Sequence, residues 1–305
     1  MRGLETLTTT ELSAWVQQAR TFARKGKVID RIPQLALADA NLFAVCVLCA
    51  KGSVYSEGET SCIFPLMSAV KPFSLLYLLQ HLGTETVFQW VGVEPSDVAF
   101  NSLEQLVKDR GRPRNPMINS GAITLADKLP GKSASDRSQH LCQWLNQRAG
   151  CQLELDEVML ASVRLVNSQV NRDIARYLAQ AGYLEDIEKA IDTYEQICCL
   201  SGTVEDLARL GLLLACENGR VATQYRRYVN ALMLTCGLYE ASPQYALQIG
   251  LPIKSGVGGA LLAVVPGRGA IACYSPALDN AGNPVAALAF VEAISQDLGL
   301  SIFGN

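Results

Sequence analysis

Strand-forming residues gather at two places far apart in this chain, and that separation constrains the fold more than any other feature. "LFAVCVLCAKGSVYSEG", Leu42 to Gly58, and "GALLAVVPGRGAIACYSP", Gly259 to Pro276, each set apolar β-rich runs around a short break, at Lys51-Gly52 and Pro266-Gly267. Each reads as a hairpin. Between them the chain is periodic at helical spacing, in "SLLYLLQHLG" ending on Gly83, "SDRSQHLCQWLNQRAG", "RDIARYLAQAG" and "VEDLARLGLLLACENG". Ahead of the first hairpin, Thr8 to Glu11 has the pattern of a capping box, and Leu12, Trp15, Val16 and Ala19 share one helical stripe. The closing "PVAALAFVEAISQDLG" reads as a strand or a helix. The pattern predicts an α+β fold, an antiparallel sheet drawn from both chain ends and flanked by helices, with a helical subdomain inserted. One domain over residues 1–305 is expected, with its sheet-containing part at about 1–75 and 200–305 and its mainly helical part at about 76–199.

The composition supplies enough core for this: 49% of 305 residues are hydrophobic. Acidic and basic residues nearly cancel, to −3, and no basic cluster is interleaved with aromatics, so neither a nucleic-acid nor an anionic-membrane partner is expected. The first 27 residues lack the apolar core and cleavage site of a secretory signal, and no apolar run reaches the roughly 18 residues of a membrane span. A cytoplasmic protein is expected. Ten cysteines spread through such a chain read as free buried thiols, and Cys46 and Cys49, three apart on a strand, point to opposite faces. With only His81 and His140, a histidine metal site or histidine triad is not expected.

The candidate chemistry lies in "CIFPLMSAVKPF", Cys62 to Phe73, where a serine and a lysine stand three apart in an apolar stretch. Pro72 is tolerated in the first turn of a helix but not in its interior, so it sets the helix start and puts Ser68 at or near the N-terminus. Ser68 and Lys71 then share a face. Apolar surroundings disfavour an ammonium, so Lys71 can serve as the base that a serine nucleophile needs. A capping serine with a snorkelling lysine is the plainer alternative, since the tetrapeptide alone arises about once by chance in a chain of this length. Two further stretches weigh against it. "KSGVGGAL", Lys254 to Leu261, resembles the strand that faces the serine in penicillin-recognising enzymes, and its Val257 N–H, with that of Ser68, could form an oxyanion hole. "GRPRNPMINSGAI", Gly111 to Ile123, is a proline-stiffened loop presenting Asn115 and Asn119, whose amides either meet a polar substrate or satisfy loop backbone.

Beyond spacing, "PLMSAVKPF", "FNS", "GRPRNPMINSGAI", "NRDIA", "SP.LD.AGN" and the long block from Val229 to Gly267 resemble the serine-dependent glutaminase family over nearly the whole chain. The resemblance implies a β-lactamase/transpeptidase-like fold and hydrolysis of L-glutamine to glutamate and ammonia through an acyl-enzyme, with no cofactor. It implies Ser68 as nucleophile, Lys71 as its base and Tyr194 as a catalytic tyrosine, with Asn119, Asn171, Tyr239 and Val257 binding substrate. Which tyrosine relays the proton stays open. A homo-oligomer, dimer or tetramer, is implied as well.

One position departs from the family. Seven residues before Asn171, where the family carries a glutamate for the substrate ammonium, this chain has Arg164, which has no acceptor and would repel that charge. Either another carboxylate such as Glu195 or Glu240 takes over, or the substrate is another small amide, or the chain is a non-catalytic amino-acid-binding relative. A smaller departure is Met67, where many relatives have glutamine before the serine.

Overall fold

Cross-strand pairing joins the two hairpins into one antiparallel sheet in the computed structural model, which describes residues 3–217 and 219–304. In chain order the strands are β1 (Ala44–Cys49), β2 (Val54–Gly58), β3 (Phe64–Pro65), β4 (Glu154–Leu155), β5 (Leu200–Gly202), β6 (Ile253–Ser255), β7 (Ala260–Val265) and β8 (Gly269–Tyr274). The large sheet runs β2-β1-β8-β7-β6, and the hairpins meet where Val45 pairs with Cys273 and Val47 with Ile271.

Side chains alternate across this sheet. Val45, Val47 and Cys49 of β1 enter one apolar cluster, with Leu261, Ala263, Ile271 and Cys273, while Ala44, Cys46 and Leu48 enter the other, with Leu262, Val264 and Ala272. Every residue of β1, β7 and β8 is buried because helices cover both faces. Cys46 and Cys49 thus lie on opposite faces, and all ten cysteines are free.

On one face lies the helix Thr9–Arg20, started by the expected capping box at Thr8 and Glu11, packed against Val285–Leu298. The final segment is therefore a helix, with Ala286, Ala287, Phe290, Val291 and Ile294 on its buried side. On the other face the helix Val204–Ala215 lies directly on β1, β7 and β8. Gly211 permits that approach: a Cβ there would stand 2.5 Å from the Cβ of Ala270.

Behind this face stand the helices of the middle of the chain. The helix from Lys71 breaks at Gly83, as expected, with φ 76° and ψ 169°, and resumes to Trp90. A second small sheet, β3-β5-β4, does not follow from the hydrophobic pattern, because its strands have only two or three residues. It ties the segment entering Ser68 to Leu200–Gly202. Among the described residues no helix is long and apolar enough to cross a membrane.

Candidate active site

Ser68 lies in a short 3₁₀ turn, Met67–Val70, that runs into the helix beginning at Lys71. Pro72 occupies the first turn of that helix, as its chemistry requires. The preceding residue, Met67, has φ 46°, a left-handed conformation that costs a side chain of this size roughly 1–3 kcal/mol and needs surrounding structure to hold it. It swings the chain sharply out of β3 and leaves Ser68 only 5% exposed at the wall of a cavity of about 240 Å³.

Across from this turn runs the loop after β6. Gly256 lets it approach: a Cβ there would meet the Leu66 carbonyl oxygen at 2.5 Å and the Ser68 nitrogen at 3.3 Å. The glycine makes room for the serine turn itself. Val257 lines the same cavity. Neither the Ser68 nor the Val257 N–H has a hydrogen-bond acceptor among the described residues. Buried donors left free are rare, and a pair beside a serine hydroxyl forms a site for developing negative charge.

Lys71 is 1% exposed, and burial pushes its ammonium down to about 8. Its Nζ donates to the Asn119 Oδ1 at 2.8 Å and to the Met117 carbonyl at 3.2 Å. A neutral amine has two N–H groups, both used here, and its lone pair is left over to take a proton. Asn119 opens the helix Asn119–Asp127, and its Oδ1 also accepts from the Tyr194 phenol at 3.1 Å while its Nδ2 donates to the Asn171 Oδ1 at 2.9 Å. These bonds fix the Asn119 amide orientation and leave the Asn171 amide N–H groups for a ligand in the cavity that both residues line. Asn115 takes the other expected option: fully buried, it accepts from the Met117 and Ile118 N–H groups and donates to the Glu94 carbonyl, holding its own loop.

The two tyrosines part company. Tyr194 lines the cavity, and burial raises its phenol well above the ordinary range. Tyr239 is set behind, with a left-handed φ of 59°. Burial pushes its phenol up to about 12, opposed by its neighbour, the Ser68 side chain, and by Ser255. It donates to the Ser255 carbonyl at 3.4 Å. Lys254, the first residue of "KSGVGGAL", is fully buried on β6. Its Nζ donates to the carbonyls of Gly237 and Ser255 and stands 4.3 Å over the Tyr239 ring, bracing that residue.

Arg164 does not line this cavity. Half-exposed near the end of the helix Glu157–Val166, it pairs with Asp192 in a neighbouring surface depression. Of the two alternative carboxylates, Glu195 lines the cavity and Glu240 is exposed outside it. Arg31 also reaches the cavity rim, which no local motif announced. Among the described residues no group of three or more His, Cys, Asp or Glu could hold a metal.

Comparison with known proteins fits this geometry. A glutaminase from a Synechocystis strain is 44% identical over 292 residues, 95% of this chain and 89% of its own, and one from Pseudoalteromonas atlantica is 38% identical over 301 residues, 95% and 97% of the two. The crystal structure of the covalent complex between a Bacillus subtilis glutaminase and 5-oxo-L-norleucine, formed by reaction with 6-diazo-5-oxo-L-norleucine, superposes with a TM-score of 0.88 at 31% identity, over 97% of this chain and 99% of that one. With the family model for Glutaminase matching residues 26–303, the chain belongs to the glutaminase family and has its β-lactamase-like fold.

Proposed function

We propose that this protein hydrolyses L-glutamine to L-glutamate and ammonia by way of an acyl-enzyme on Ser68. The observation that carries the reading is Ser68 at the cavity wall, with its own N–H and that of Val257 free of acceptors, three residues before the buried Lys71, whose ammonium is pushed down to about 8. The relatives named above act as support, since 6-diazo-5-oxo-L-norleucine carries a diazomethyl ketone where glutamine carries its carboxamide.

In the first half-reaction the Ser68 Oγ attacks the carboxamide carbon and its proton passes to neutral Lys71. The oxyanion takes the N–H groups of Ser68 and Val257. The C–N bond breaks as the nitrogen gains that proton, and ammonia leaves. In the second, water attacks the Ser68 ester, and the serine regains its proton as glutamate departs. Tyr239, beside the Ser68 side chain, fits the relay of protons at Oγ better than Tyr194, which is bound to Asn119. Tyr194 and Asn171 instead hold Asn119 against Lys71.

The test is ammonia release from L-glutamine by the purified protein beside a Ser68→Ala variant of matched thermal stability. Release that the substitution abolishes is expected. A folded wild-type protein that releases none would overturn the reading.

A further inference from the structure

We infer that the amino-acid end of the substrate is held between Glu195 and Arg31, so that the carboxylate receiving the α-ammonium sits beside Tyr194 and not at the register of Arg164. This rests on the glutaminase reading above and names how that site selects its substrate.

Glu195 and Arg31 are the two charged side chains lining the Ser68 cavity, and they are opposite in sign. Much of the remaining wall is apolar, from Ile32, Val163, Val166 and Val170. Among the described residues the Glu195 carboxylate has no hydrogen-bond or ion-pair partner, and neither does the Arg31 guanidinium. They do not pair with each other. A half-buried carboxylate against apolar walls is costly unless a cation arrives to meet it. Burial raises the Glu195 carboxyl, with Asp192 adding to the effect, and Arg164 and Arg172 act against it from outside the cavity. Arg164 lines the adjoining depression, which Glu195 borders as well. Held by Asp192, it helps keep Glu195 ionised. Arg31 stands over the Phe100 ring, 5.9 Å from its centre, and offers a forked donor to a carboxylate. Two unpaired opposite charges lining the cavity that Ser68 also lines complement a zwitterionic α-amino acid whose side-chain amide reaches Ser68.

Three amides separate the contributions: L-glutamine, glutaramic acid, which lacks the α-ammonium, and 4-aminobutanamide, which lacks the α-carboxylate. For Glu195→Gln, KM for L-glutamine should rise at least about tenfold, the loss expected for a charged hydrogen bond. Its kcat/KM for glutaramic acid should match wild type. Arg31→Gln should do the converse, sparing 4-aminobutanamide. Because it removes an unpaired, half-buried charge, Glu195→Gln should melt no lower than wild type, which sets it apart from a structural residue. Wild-type turnover of glutamine with an unchanged KM in Glu195→Gln would overturn the inference and leave the glutaminase reading standing. If the wild type releases no ammonia, calorimetric titration of L-glutamine into Ser68→Ala decides. Binding weakened by adding Glu195→Gln supports the inference without the reaction, and absence of binding overturns both.

Discussion

The proposed role of Lys71 requires it to shed a proton, and its burial favours that. With its ammonium pushed down to about 8, roughly one lysine in ten is already neutral at pH 7, against a few in ten thousand for a free side chain. Since the neutral form is the base, kcat/KM for glutamine should rise about tenfold per pH unit from pH 6 to 7, bend near pH 8 and level off above it, in a pH–rate profile. A flat profile would remove Lys71 from that role. The tyrosines make a second contrast. Tyr239→Phe should lower kcat by about 10²-fold or more as it removes the phenol next to Ser68, whereas Tyr194→Phe, which loses one of two donors to Asn119, should cost about tenfold or less in the same assay. The placement of Ser68 and Lys71 at a helix start was legible as sequence because Pro72 is confined to a first turn. The outcome at Arg164 was not, since whether a guanidinium faces a ligand or a neighbouring aspartate depends on which way its helix is turned.

At the scale of elements, two glycines decide how closely backbone segments approach. Gly256→Ala would put a methyl group 2.5 Å from the Leu66 carbonyl, a backbone atom that cannot rotate away, and so push the Val257 N–H from the serine turn. A fall in kcat of about 10²-fold is expected, as for a lost oxyanion donor, in steady-state kinetics on a protein with unchanged circular dichroism. Gly211→Ala tests the helix on the sheet. Alanine favours a helix by about 1 kcal/mol over glycine, but overpacking against Ala270 and Leu262 costs about 1–3 kcal/mol, so a lower denaturation midpoint is expected. The hairpins and capped helices could be read beforehand because their periodicity and turn residues are local. The small β3-β5-β4 sheet could not, being made by tertiary pairing of residues 45 to 138 positions apart.

Over the whole molecule, seven of the ten cysteines are buried as expected, while Cys62, Cys142 and Cys216 are half-buried, and the buried thiols have a thermodynamic consequence. Burial pushes Cys46 and Cys198 up to about 11 and Cys151 up to about 12, and raises Cys199 and Cys273 as well. Above pH 9 the unfolded chain loses these five protons while the folded protein keeps them, so stability falls as pH rises. Burial depresses Lys71 and Lys254, which work in the opposite sense. The raised thiols outnumber the two depressed lysines, so a net fall in stability with rising pH above 9 is expected, to be read from urea unfolding. Activity and stability should therefore part company above pH 9, the first level and the second falling. The overall architecture was legible from where strands and helices fall along the chain. The cavity was not, because its walls come from Arg31, Ser68, Asn119, Glu195 and Val257, which only the fold brings together. The claim that joins them is that Ser68 is the nucleophile. It is tested most directly by treating the protein with 6-diazo-5-oxo-L-norleucine and mapping the adduct by peptide mass spectrometry. A single 5-oxo-norleucine adduct on the Ser68 peptide, absent from Ser68→Ala and suppressed by L-glutamine, is the predicted result. An adduct on another residue, or glutamine turnover that survives in Ser68→Ala, would contradict the account.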